Sequence, residues 1–208
     1  MAKSASPKKK PAPSLRDRLN DETRRVILDA MVEQLIDTGA FEFSMFELAR
    51  RANISARTIY RHFPTREALF DALSVRVNEQ VGFHGYPTSF DAAIELVRKL
   101  FPAFDRNAPL IMAQLETRKG REFRSHARKE RTQAVVTAVE RAAPHVDPAL
   151  KRHCTAAITC LMSSDAWQRL RLSLNMDGNE SGEAIAWAIG ALKNQLEIEE
   201  KKAKGAKR

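Results

Sequence analysis

A chain of 208 residues with 43% apolar content can bury the core of one large domain, or of a small domain and a medium one. The formal charge of +9 and the pI near 9.8 point to a polyanionic partner. No apolar run reaches the roughly 18 residues of a membrane-spanning helix, and the basic N-terminus lacks the apolar stretch of a signal peptide, so a cytoplasmic protein with no membrane partner is expected.

The charge is uneven. Residues 1–76 hold 14 Lys/Arg against 10 Asp/Glu, residues 77–198 hold 16 against 14, and residues 199–208 hold 5 against 2. Residues 1–20, rich in Lys, Pro, Ser and Ala, cannot supply a core and are expected to be a disordered basic arm. Such an arm either touches DNA phosphates or serves as a solubilising tail.

From Glu22 to Thr38 the pattern turns helical. Ile27, Met31 and Leu35 repeat at four, as do Leu28, Val32 and Ile36, giving a broad apolar stripe. Gly39 is a natural stop, and Phe41 and Phe43 plug the corner after it. Ser44-Met45-Phe46-Glu47 reads as a capping box opening a short helix with Leu48, Ala49 and Ala52 inside. Ser55 caps the next helix, with Ile54 and Ile59 placed as a hydrophobic staple. Ile59 and Phe63 face inward, which turns Arg57, Thr58, Arg61 and His62 outward or to the rim. Pro64 ends this helix. Thr65 caps another that continues through Leu69, Phe70, Leu73 and Val77.

Residues 82–89 break the pattern and mark a boundary, giving a unit over 21–80 and a second over 88–200, with a basic tail at 201–208. Beyond the boundary everything reads helical. One helix carries Phe90, Ile94, Val97, Leu100, Phe101 and Phe104, bent or ended at Pro102. A short one follows Pro109, and a long amphipathic one spans about 121–143. Asp147-Pro148 starts another that runs to about Leu174. Met176–Asn179 is a turn, and a last helix runs from about Ser181 to the Lys-rich tail. No segment alternates at period two, so the fold class is all-α. Cys154 and Cys160 lie on one helix, separated by a rise of roughly 9 Å, and so cannot bridge each other. They read as reduced thiols.

Two short helices joined tightly, the second with a basic and aromatic outer face, form a helix-turn-helix able to enter a DNA major groove. Recognition requires groups that hold phosphates and groups that read base edges. Ser44, Ser55 and Thr65 cap helix starts. Arg57 and Thr58 lie in the first turn of the second helix, with Ala56 before them. Tyr60, Arg61 and His62 follow on its outer rim, and Arg66 opens the next helix. Each has a plainer explanation alone: the caps serve folding, and Arg61 and His62 are ordinary surface residues. Their joint spacing favours DNA.

The stretch from about Arg24 to Leu73 resembles the N-terminal DNA-binding domain of the tetracycline-repressor (TetR) family. The matching pieces are residues 43–52, then Ile54 to Phe63 with its Tyr60-Arg61-His62-Phe63 core, then Thr65-Arg66-Glu67-Ala68-Leu69. The resemblance covers about a quarter of the chain. It implies a three-helix DNA-binding domain, a larger helical domain and a homodimer on a palindromic double-stranded operator. It further implies that Arg57 and Thr58 reach bases, while Tyr60 and His62 clamp phosphates with help from Ser44, Thr65 and Arg66. Asn53 stands where the family usually has Gly. Asn tolerates a left-handed conformation, so the turn is expected to survive.

In that family the final helices of two subunits form a four-helix bundle, and a small molecule bound in the second domain releases the operator. Ile158, Met162, Trp167, Ile185, Ala188, Ile189, Leu192 and Leu196, with Trp187, are the expected interface residues; small residues around them permit close helix approach. The alternative is that both stripes serve the chain's own core. Expected lining residues of an effector pocket are Phe83, Phe101, Phe104, Met112, Leu115, Glu116, Leu161 and Trp167. Glu116 and Asp165 either meet a cationic ligand or pair with Arg118 and Arg169. The sequence holds no phosphate-binding glycine loop, metal-ligand spacing or nucleophile motif, so neither an enzyme nor a cofactor or metal is expected. The alternative to an operator-specific regulator is a non-specific, nucleoid-type nucleic-acid binder, which the Lys-rich ends favour.

Overall fold

A computed structural model describes residues 14–39 and 43–205; the expectations for residues 1–13, Phe41 and 206–208 lie outside them. The chain is all-α, with no strand among the described residues. Its helices are α1 (Leu15–Thr38), α2 (Met45–Arg51), α3 (Ala56–His62), α4 (Arg66–Gln80), α5 (Phe90–Arg106), α6 (Ala108–Glu116), α7 (Arg118–Phe123), α8 (Ser125–Ala142), α9 (Pro148–Leu161), α10 (Ser164–Leu174) and α11 (Gly178–Gly205).

The first helix begins earlier than its composition suggests. Residues 15–20, expected in the disordered arm, are helical because Ser14 and Asp17 form a reciprocal capping box. The Ser14 hydroxyl accepts from the Asp17 N–H at 3.2 Å, and the Asp17 carboxylate accepts from the Ser14 N–H at 3.1 Å. Gly39 ends the helix at φ +61°, as its position predicts. Ile27, Met31 and Leu35 are fully buried, whereas Ile36 is left exposed, so the apolar stripe is narrower than expected.

Two hydrophobic clusters organise the chain. The first joins Ile27, Met31 and Leu35 to Leu48, Ile59, Phe63, Leu69 and Leu73. The second gathers Val97, Phe101, Phe104, Val135, Val139, Ile158, Trp167, Ile185 and Ile189. Helix α6 belongs to both. Leu110 and Ala113 enter the first cluster, while Ile111 and Leu115, on its other face, enter the second. A short helix with two apolar faces is thus wedged between the cores and fixes one to the other.

Three helix boundaries differ from expectation. The α5 helix passes through Pro102 to Arg106. The helix expected over 121–143 is two helices that meet at Arg124, and the one expected from Pro148 to Leu174 breaks at Met162 and Ser163. There Ser163 acts as a new N-cap, its hydroxyl accepting from the Ala166 N–H at 3.1 Å.

Helix α11 lies along α5 at very short range. A Cβ on Gly178 would sit 2.5 Å from the Phe101 carbonyl oxygen, and one on Gly182 3.1 Å from that of Val97. Gly182, one of the small residues expected to admit a partner helix, therefore admits α5 of the same chain. Asp105 closes this junction by accepting from Trp167 Nε1 at 2.9 Å, from Arg171 at 2.6 Å and from the Gly178 N–H. Ile158, Met162, Trp167, Ile185, Ile189 and Leu196, all expected at a subunit interface, are buried in the chain's own core. Of that set only Ala188 and Leu192 keep partial exposure, beside Trp187, which is 77% exposed. Cys154 is buried, and burial pushes its thiol pKa up; Cys160 is exposed, and both are free.

Candidate DNA-binding surface and effector cavity

The turn between α2 and α3 is a Schellman motif centred on Asn53. The Ile54 N–H bonds the Ala49 carbonyl at 3.0 Å, the Asn53 N–H bonds that of Arg50 at 3.2 Å, and Asn53 adopts φ +52°. Asn fills the left-handed position expected of it. Ile59 and Phe63 then bury the inner face of α3, leaving Arg57, Tyr60 and Arg61 exposed and Ala56, Thr58 and His62 partly so.

The caps form as expected. Ser44 accepts from Glu47 N–H at 3.0 Å, Ser55 from Thr58 N–H at 3.1 Å and Thr65 from Ala68 N–H at 3.1 Å. Each bond spends a hydroxyl lone pair and leaves an O–H proton that can be donated. The Ser44 cap is one-sided: the Glu47 carboxylate bonds Arg50 instead of reaching back. The Thr58 hydroxyl lies 3.0 Å from that of Ser55.

Much of the basic charge here is structural. Arg24 donates to the His62 carbonyl at 2.6 Å and lies 4.2 Å from the Phe63 ring centroid. Arg66, expected at phosphates, donates to the Phe43 carbonyl at 3.1 Å and sits over the Phe43 ring. Arg51 pairs with Asp37 and Arg76 with Asp29, tying α2 and α4 to α1. Arg57, by contrast, has no hydrogen-bond or ion-pair partner among the described residues, and its guanidinium is available for a ligand. Burial, reinforced by Arg61 and Arg24, lowers the His62 pKa below its ordinary value of 6.5, so His62 is neutral at pH 7.

An open groove beside this face is lined by Arg16, Asn20, Arg24, Arg61 and His62, with Leu15 and Leu19. Arg16, Asn20 and Arg24 were not among the expected site residues. Their spacing of four and four on one helix face is the signal that places them together.

A cavity of about 110 Å³ lies where α4, the 81–89 segment, α5, α6, α8 and α10 converge. Of the expected lining residues Phe83 and Phe104 face it. Phe101, Leu115 and Trp167 belong to the core instead, and Leu161 packs partly buried against that core. Met112 and Glu116 meet Gln168 of α10, so Glu116 pairs neither with Arg118 nor with the cavity. Asp165 does line the cavity but pairs with Arg124 at 3.0 Å rather than with Arg169. Burial works to raise the Asp165 pKa, but the Arg124 hydrogen bond and charge, a backbone hydrogen bond and the charge of Arg131 together outweigh it, so the carboxyl stays below its ordinary value.

An exposed helix-turn-helix of this build, set on an all-helical body, defines a DNA-binding transcriptional regulator. Residues 27–73 match the family model described as bacterial regulatory proteins, tetR family, so the N-terminal helix-turn-helix unit is of the TetR type. No curated protein matches the chain. Among solved structures it is similar to NalD of Pseudomonas aeruginosa, described as the secondary repressor of the MexAB-OprM multidrug efflux pump. The similarity has a TM-score of 0.58 and 19% identity over 83% of this chain and 96% of that one. At that identity the likeness concerns the fold.

Proposed function

We propose that the protein is a homodimeric, operator-specific repressor released from a palindromic site by a small molecule. The observation that carries the reading is the outer face of α3: Arg57 unpartnered, with Tyr60, Arg61 and the neutral His62 following it. Arg57 and Thr58 read base edges, while Tyr60, His62, Ser44, Ser55 and Thr65 hold phosphates. Arg16 extends the phosphate contacts from α1. NalD, named a repressor, lends support to the sign of regulation.

Release follows from α4. This helix begins two residues after Pro64, and its Ser74, Val77 and Asn78 line the cavity. A ligand that prefers a different α4 position shifts the dimer toward a state whose recognition helices no longer meet successive major grooves. The dimer uses the outer face of α11, where Trp187, Ala191 and Ile198 share one exposed stripe.

Selection of the purified protein on randomised duplex DNA, alongside Arg57→Ala, tests the reading. A palindromic consensus that relaxes in the variant is the expected result. Tight, salt-sensitive binding without a consensus would instead make the protein a non-specific nucleic-acid binder.

A further inference from the structure

We propose that the cavity between α4 and α8 takes a small organic anion, a carboxylate carrying a short apolar chain or a single ring. The assignment deepens the effector reading above and rests on it for its consequence at DNA. Three arginines, Arg124, Arg128 and Arg131, line the cavity against one acid, Asp165. Arg124 pairs with that acid at 3.0 Å, and Arg131 also acts on its charge, while neither Arg128 nor Arg131 forms an ion pair among the described residues.

The hydrogen-bond balance points the same way. Nε of Arg124, Nε of Arg131 and Nε2 of Gln114 are buried without any acceptor. Gln114 is only 5% exposed, yet it lines the cavity. A guanidinium Nε can only donate, so the unmet need is for an acceptor, and a buried unpaired donor costs about 1–3 kcal/mol. A carboxylate offers about four lone-pair sites and can take an arginine in bidentate fashion. Tyr86 lines the same cavity as Arg131, whose charge its hydroxyl feels.

The remaining wall sets the rest of the molecule. Phe83 and Phe104 line the cavity with Val77 and Met162, a surface that an inorganic anion leaves uncovered. The volume of about 110 Å³ is somewhat below the roughly 150 Å³ of an apolar cavity that holds benzene, which limits the enclosed part to a few carbons or one ring. A cationic effector is disfavoured, because three guanidinium groups line the cavity against a single carboxylate.

The test is calorimetric titration of the full-length protein with butyrate, hexanoate and benzoate, each against its primary amide, and with inorganic phosphate. At least one carboxylate is expected to bind at least roughly tenfold more tightly than its amide and than phosphate. Arg131→Met is expected to remove most of that preference; should it fail to fold, Arg128→Met and Gln114→Met report on the same acceptor site. Equal binding of acid and amide, equal binding of phosphate, or no binding by any of the three carboxylates overturns the proposal. Selected operator DNA, titrated separately, distinguishes the two readings. Carboxylate binding by a protein that recognises no DNA leaves this site standing and removes the regulator, whereas operator binding with no carboxylate preference removes only this assignment.

Discussion

Arg24 holds the end of the recognition helix by its backbone: the guanidinium donates to the His62 carbonyl at 2.6 Å and stacks 4.2 Å from the centroid of the Phe63 ring. The contact joins α1 to the last turn of α3, where a carbonyl would otherwise lack an intrahelical partner. Replacing Arg24 by Ala removes a charged hydrogen bond and a cation–π contact, an expected loss of about 2–3 kcal/mol in stability. Urea unfolding measures it. Operator affinity is expected to fall as well, because the orientation of α3 depends on this strut. Arg24→Lys keeps the charge but not the planar stacking and should recover only part of both. Unchanged operator affinity in a destabilised Arg24→Ala would show that α3 is oriented without it.

The N-terminal domain is legible because its local signals agree with one another. Ser44, Ser55 and Thr65 cap as their positions require, Asn53 takes the left-handed turn, and Ile59 and Phe63 bury the inner face. The start of α1 is hidden by composition: the Lys, Pro and Ser of the first residues mask the Ser14-x-x-Asp17 box. In the second core, periodicity reveals an apolar stripe but not what covers it. The stripes through Ile158 and Ile185 therefore read as an interface, with a core as the alternative, and Gly178 and Gly182 against α5 decide for the core. The cavity arginines stand at 124, 128 and 131, a one-face spacing that reads as a solvated helix face until Gln114 and Phe104 are seen beside it.

The depressed pKa of His62 makes two linked predictions. Its folded value lies below 6.5, so protonation opposes folding, and the stability it contributes is present above 6.5 and declines as pH falls toward the folded value. A phosphate at the imidazole favours the charged form, so operator binding takes up a proton. Affinity is therefore expected to rise as pH falls below about 6.5, at constant salt, and His62→Gln is expected to flatten that rise. Fluorescence anisotropy on a selected duplex across pH 5.5–7.5 reads the slope. An identical slope in the variant would place His62 away from the phosphate.

Glu200 ties the end of α11 to the turn before α9. Burial pushes its pKa up, but hydrogen bonds from the His145 ring at 2.7 Å, the His145 N–H at 2.9 Å and Lys204 at 3.2 Å hold it down to about 2. The stabilisation it gives is complete above the ordinary value of 4.5 and is lost as pH falls from there toward 2. Glu200→Gln should be less stable than the parent at pH 7 and should lose less stability across that acid window. Denaturant midpoints at pH 7, 5, 4 and 3 measure both curves; parallel curves would mean that Glu200 does not govern the acid limb.

Trp187 is the largest side chain left in water by the final helix, at 77% exposure, and Ile198 lies on the same stripe at 46%. The intervening Ala191 is small, so a second α11 can approach between the two anchors, and isologous pairing places Trp187 against its own symmetry mate's surface. The interface predicted here lies on the opposite side of α11 from Ile185 and Ile189, which the chain's own core has consumed. Trp187→Glu places like charges across that two-fold contact without touching the core. It is expected to yield a folded monomer, with the same helical signal but half the mass by light scattering. It should also lose operator affinity by more than a single phosphate contact would account for, because both half-sites must be held at once. A dimer of unchanged stability in Trp187→Glu would move the interface to another face, and a monomeric parent protein would remove the dimer altogether.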